Sequence, residues 1–107
     1  MNLPIIPLLA ASEDIIEITR YFDEQDVNLG EKFLKYLDET YEMIANMPEL
    51  GELQRFRHPA MQNARIRRIK KFTNYLIFYR IESDKIVILR VLHAARDYMN
   101  LFDYEIQ

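Results

Sequence analysis

The chain contains no cysteine, which excludes a disulfide framework and a thiolate metal centre together. Only two histidines occur, His58 and His93, and they lie far apart in the sequence. No metal and no cofactor is expected from that inventory. Long apolar runs are also missing: the opening MNLPIIPLLAAS is apolar but has no basic leader and is interrupted by Pro4 and Pro7. A spanning helix needs about 20 apolar residues, so no membrane association is expected and a cytoplasmic location is the simplest reading. No internal repeat or low-complexity tract is present.

Bases are scarce in the first half. Residues 1–53 hold three, Arg20, Lys32 and Lys35, against twelve acids. Residues 54–96 reverse the balance, with eleven bases and only Glu82 and Asp84 as acids. The net charge of -3 therefore conceals an acidic half and a basic half. A basic face on an acidic body suits nucleic acid, a nucleotide or an acidic protein segment.

What is abundant is apolar and aromatic material, 50% and 12% of 107 residues. That content offsets chain entropy in one folding unit, so a single domain over 1–107 is expected. Residues 3–10 predict a short strand that Pro4 and Pro7 confine to a sheet edge. Ser12 as N-cap, the acids Glu13 and Asp14, and the spacing of Ile15, Ile18 and Phe22 predict a helix over about 13–25. Asn28 with Glu31 caps a second helix whose stripe runs Leu29, Phe33, Tyr36, Leu37, Thr40, Ile44 and Met47 and stops before Pro48. So few residues separate the two helices that they must form an antiparallel hairpin.

Residues 48–63 lack any clean period and read as a loop. Three runs rich in β-branched and aromatic residues follow, 64–72, 75–81 and 85–93, separated by Thr73-Asn74 and Ser83-Asp84. A two-residue turn at Ser83-Asp84 would pair Ile81 with Ile86, Phe78 with Leu89 and Leu76 with Val91. The Arg67-Arg68 step breaks the alternation of the first run and predicts a bulge there. The expected fold is α+β, with an N-terminal edge strand and the helical hairpin packed on a three- to four-stranded, largely antiparallel sheet. Leu76, Phe78, Leu89 and Val91 fall on one sheet face, and Tyr75, Ile77, Tyr79, Ile86 and Ile88 on the other. One hairpin covers one face only, so the second needs the tail after Asp97 or a partner.

At this point the string NYLIFYRIESDKIVILRVLHAARD resembles the hairpin and signature end of RelE/ParE toxins. ASEDIIEITRYF is similar to that family's first helix, and MPELGE carries its Pro-x-x-Gly after the second. The resemblance implies the toxin half of a type II toxin–antitoxin system, in a hetero-oligomer with a cognate antitoxin that lies across its apolar surface. The set Ile77, Tyr79, Ile86 and Ile88 is the expected antitoxin contact. Arg65, Arg67, Arg68, Lys70 and Arg96 are the expected target-binding cations, with Lys71 beside them.

The superfamily implies two activities, ribosome-dependent mRNA cleavage and inhibition of DNA gyrase without nucleic-acid cleavage. Cleavage needs groups that activate a 2′-hydroxyl, neutralise the phosphate and protonate the leaving oxygen. Where the nuclease pattern has an arginine directly after the first aromatic of the central strand, this chain has Leu76. If the chain were a nuclease, His93, Arg96, Arg67 and Lys70 would be its catalytic set. His93 reads better as a hydrogen-bonded residue ordering the tail, and Tyr75 and Tyr79 as sheet-face packing. The lost cation and the VLHAARD ending favour the ParE-like branch: a gyrase inhibitor rather than an enzyme. An mRNA interferase, with ribosome and mRNA as its partners, and an inactive binding module are the alternatives.

Overall fold

A computed structural model describes residues 2–105. Strand β1 spans Ile5–Pro7, helix α1 Leu9–Gln25 and helix α2 Val27–Asn46. A two-residue strand β2 (Glu52–Leu53) is followed by β3 (Arg65–Ile69), β4 (Phe72–Ile81), β5 (Ile86–His93) and a short helix α3 (Tyr98–Leu101). The sheet has five strands in the order β1-β5-β4-β3-β2 and is mixed, because β1 runs parallel to β5 while the other pairs are antiparallel. The two strands beyond the expected meander are the edges, and both are too short to carry a strong period of their own.

The helical hairpin forms as its apolar stripes dictate, with different ends. α1 begins at Leu9, one turn before the expected start, and Ser12 lies inside it, donating its N–H to Leu8 O at 3.0 Å. Asp26 is the single residue between the helices, and its carboxylate accepts from Asn28 N–H at 2.9 Å. That contact makes Asp26, not Asn28, the cap of α2. Phe33, Leu37, Thr40 and Ile44 are buried along α2, whereas Met47 at the end of the stripe is exposed. The β3–β4 turn sits at Lys70-Lys71 rather than Thr73-Asn74, with Lys71 in the left-handed region at φ 67°. The predicted irregularity in β3 is present, as a register shift between Arg68 and Ile69.

Strand pairing across β4 and β5 follows the expected register at the turn, where Ile81 faces Ile86, and departs from it beyond Tyr79. A register shift there sets Phe78 opposite Arg90 and Leu76 opposite Leu92. One extra residue on β5 moves every later side chain to the other face, so Val91 joins the helix-covered side instead of the side of Phe78.

Both sheet faces are covered within the chain. On one, Phe22, Phe33, Leu37 and Ile44 of the helices pack on Ile69, Ile77, Tyr79, Ile86, Ile88 and Val91. On the other, the loop residues Phe56 and Met61 and the tail residue Phe102 pack on Leu76, Phe78, Val87 and Leu89, with Tyr98 and Tyr104 at the margin. Ring centroids of 5.3 Å for Phe56–Phe102 and Phe78–Tyr98, and 5.4 Å for Phe78–Phe102, mark edge-on aromatic packing. The tail is tied down by backbone bonds from Arg57 N–H to Asp103 O (2.7 Å) and from Glu105 N–H to Arg55 O (2.7 Å).

The sheet edges are closed by specific devices. Leu8 N–H donates to Ile88 O at 2.9 Å, so Pro7, one residue earlier, has its missing N–H on the outer side of the edge strand. Past Ile88 strand β5 has no β1 partner. There Asp14 of α1 takes over, accepting from Val91 N–H at 3.0 Å. At the far end of β3, Thr40 of α2 does the same for Lys70 N–H at 3.0 Å, while its hydroxyl donates to Tyr36 O. Asp14 and Thr40 are the buried polar side chains among the described residues, and both are satisfied by these contacts.

Candidate functional site

The expected antitoxin contact set is corrected by burial. Ile77, Tyr79, Ile86 and Ile88 are each 0% exposed beneath the helical hairpin. A partner cannot touch them without displacing α1 and α2. Both faces are apolar in sequence, and alternation alone does not say which face the helices take.

Three of the five expected target-binding cations hold the chain itself together. Arg65 donates through Nη1 to Glu49 O (3.0 Å) and Gly51 O (2.9 Å), fastening the segment after α2 to the sheet. A Cβ on Gly51 would lie 2.0 Å from the Tyr79 hydroxyl, so only glycine permits the approach that lets Tyr79 donate to Pro48 O. Arg68 donates to Thr73 O across the β3–β4 turn. Lys70 pairs with Glu39 of α2 at 3.0 Å and lies over the Tyr36 ring. Arg67 shares the helix-side face of β3 with Arg65, opposite Ile77, and its Nη1 is buried without a hydrogen-bond partner. These bases are therefore divided between the two sheet faces and do not form one cluster.

Leu76 is 2% exposed in the tail-side core, so the position where a nuclease would want a cation is apolar and sealed. His93 and Arg96, by contrast, do come together. They line a cleft of about 340 Å³ between α1 and the end of β5, with Asp14, Glu17 and Tyr21 on one wall and Tyr75 on the other. Tyr21, Tyr75 and His93 also line the next groove, which continues past Lys71, Thr73 and Asn74. The Tyr75 and His93 rings meet edge-on at 4.9 Å. His93 Nδ1 accepts from Ala95 N–H at 2.9 Å, so the ring orders the chain after β5 as the sequence suggests.

A bidentate ion pair joins α1 to β5. Asp14 receives both Nε and Nη2 of Arg90, at 2.7 and 2.9 Å, in addition to Val91 N–H. The hydrogen bond to Asp14 raises the pKa of the Arg90 guanidinium; burial opposes it, and the charges of Asp14, Glu13 and Glu17 add to it. Such a bidentate pair joins α1 to the bulge of β5 in one fixed geometry. A sequence signal existed: Arg90 is the lone charge inside the apolar run IVILRVL, and a charge in a buried strand requires a partner. Burial also raises the phenol pKa values of Tyr41, where Asp38 adds to it, and of Tyr75, where Tyr21 adds to it. At Tyr79 burial again raises the pKa, while a backbone hydrogen bond from Gly51 and the charges of Arg65 and Arg67 work against it.

With this geometry established, the family described as the ParE toxin of the type II toxin–antitoxin system parDE matches residues 5–98. Among solved structures, a chain of the chromosomal ParDE toxin–antitoxin system from P. aeruginosa is similar, with a TM-score of 0.67 over 85% of this chain and 95% of that one. The two are 14% identical, so the likeness is one of fold. No curated protein matches. No helix among the described residues is long and apolar enough to cross a membrane.

Proposed function

Because this chain belongs to the ParE toxin family of type II toxin–antitoxin systems, we propose that it acts in the cytoplasm by inhibiting DNA gyrase through protein contact and is silenced by a cognate antitoxin. The observation that carries the choice of activity is the sealed, apolar Leu76 together with the dispersal of the strand-borne bases. Phosphoryl chemistry on RNA needs several preorganised cations at one phosphate, and removing a single such donor typically costs 10²–10³ in rate, or about 3–4 kcal/mol. Arg65, Arg68 and Lys70 are instead occupied by backbone carbonyls and by Glu39. Contact inhibition needs only a shaped surface, and the complex with antitoxin is the expected resting form.

One feature favours the interferase reading: His93 and Arg96 share a cleft with two tyrosines. Neither Lys70, held against α2 by Glu39, nor Arg67 is among the residues that line that cleft, however. The two activities are separated by running both assays on one preparation. Gyrase supercoiling should be inhibited, with inhibition retained in His93→Ala and relieved by the antitoxin. Codon-dependent cuts in ribosome-bound mRNA that vanish in His93→Ala would replace this reading with the interferase.

A further inference from the structure

We propose that the cleft between α1 and the end of β5 is a receptor for an arginine side chain carried by a partner protein. It adds to the function above the chemistry of an anchor and does not depend on which partner supplies it. One wall is a helical stripe, Asp14, Glu17 and Tyr21, at positions i, i+3 and i+7 of α1. The facing wall is Tyr75 with His93 behind it. The volume of about 340 Å³ is at the small end of the range for ligand sites, roughly 300–1,000 Å³, and suits a side chain rather than a large ligand.

The two carboxylates have different duties. Asp14 is filled by Arg90 and Val91 N–H. Glu17 has no ion pair among the described residues and is the acceptor left open to an incoming cation. Tyr21, 52% exposed, and Tyr75 supply ring faces. A planar guanidinium can lie on a phenol while forking to a carboxylate, which a compact ammonium does less well. The field agrees: the charges of Glu13 and Glu17 both strengthen proton binding at Arg90, the partner of Asp14. Arg96 lines the cleft as well, and as a like charge it competes with the incoming group.

The test is an NMR titration of the isotope-labelled full chain with acetyl-arginine-amide, read at the rings of Tyr21, Tyr75 and His93. Saturable shifts are expected at these rings. Glu17→Gln should weaken binding about fivefold, as for a partly exposed ion pair. Tyr21→Leu should weaken it by a similar factor, about fivefold, while Tyr21→Phe, which keeps the ring face, should not. Arg96→Gln should tighten it. Equal shifts from acetyl-norleucine-amide, shifts confined to other surfaces, or binding of acetyl-glutamate-amide that Arg96→Gln abolishes would each overturn the proposal. The probe contains neither antitoxin nor gyrase, so its failure is distinct from failure of the functional reading. Circular dichroism of each variant checks that α1 is intact.

Discussion

The two faces of the sheet are built from alternate residues of the same strands, yet they are covered by different kinds of structure. The helix-side cover is two long regular helices that bring both buried polar clamps, Asp14 and Thr40, to the sheet edges. The tail-side cover is a loop and nine residues after Arg96, fastened by a few backbone bonds and an aromatic cluster. Regular elements satisfy their own backbone groups and can be anchored by side chains, whereas an irregular cover must draw its hydrogen bonds from a neighbouring loop. The helix-side face should therefore define global stability, and the tail-side face should open locally first.

The largest effect is expected from Phe33→Ala. Phe33 is fully buried and meets Phe22, Phe72 and Tyr75 at 5.4–5.7 Å, so the substitution should cost about 3–5 kcal/mol in urea unfolding. A loss under about 1 kcal/mol would mean that the helices are not the main stabilising cover.

Asp14→Ala comes next, at about 3 kcal/mol, because it strands a largely buried guanidinium and an edge N–H at once. Asp14→Asn retains an acceptor and should lose less. If the two variants unfold at the same urea concentration, charge is irrelevant to the clamp.

Phe102→Ala sharpens the contrast between the faces. It removes a ring of comparable size, but the tail can readjust, so about 2 kcal/mol is expected, below the usual range for a core phenylalanine. Hydrogen exchange should accelerate at the tail-binding amides of Arg57, His58 and Glu105 and remain slow at Ile86 and Val91. Uniform acceleration would show that both faces open as one unit.

The smallest effect is alkaline and belongs to the helix side. The phenols of Tyr75 and Tyr79 pack in that core, and burial raises their pKa values. The unfolded chain releases these protons near the ordinary value of about 10, and the folded chain holds them to higher pH. Above about pH 10 the unfolded state thus binds fewer protons, and stability falls as pH rises. Urea midpoints followed upward from about pH 9 should decline, and Tyr79→Phe should reduce that slope. A midpoint that rises over this range would reverse the sign of the argument.

Much of this was legible from local pattern. The stripe through Phe33, Leu37 and Ile44 gave the second helix, and β-branched alternation gave β4 and β5, because both signals are periodic along the chain. The pairing of Ile81 with Ile86 followed from the two-residue turn. Of the candidate site, the joint position of His93 and Arg96 at the end of β5 and the anchoring of the His93 ring were readable from their closeness in sequence.

What the sequence determined by itself was therefore the periodic and the near: two helices, three strands, a family signature and a division of charge. The tertiary structure alone decided which apolar face the helices would cover, and so buried Ile77, Tyr79, Ile86 and Ile88 rather than presenting them to a partner. It also decided that the bulge after Leu89 would turn Val91 inward, and that Asp14 would meet Arg90 across 76 positions of chain. Alternation assigns residues to two faces without ranking them, and one inserted residue inverts everything beyond it. A contact between a helix side chain and a distant strand leaves no period in either segment, because it depends on how the layers stack and not on the order of residues within them.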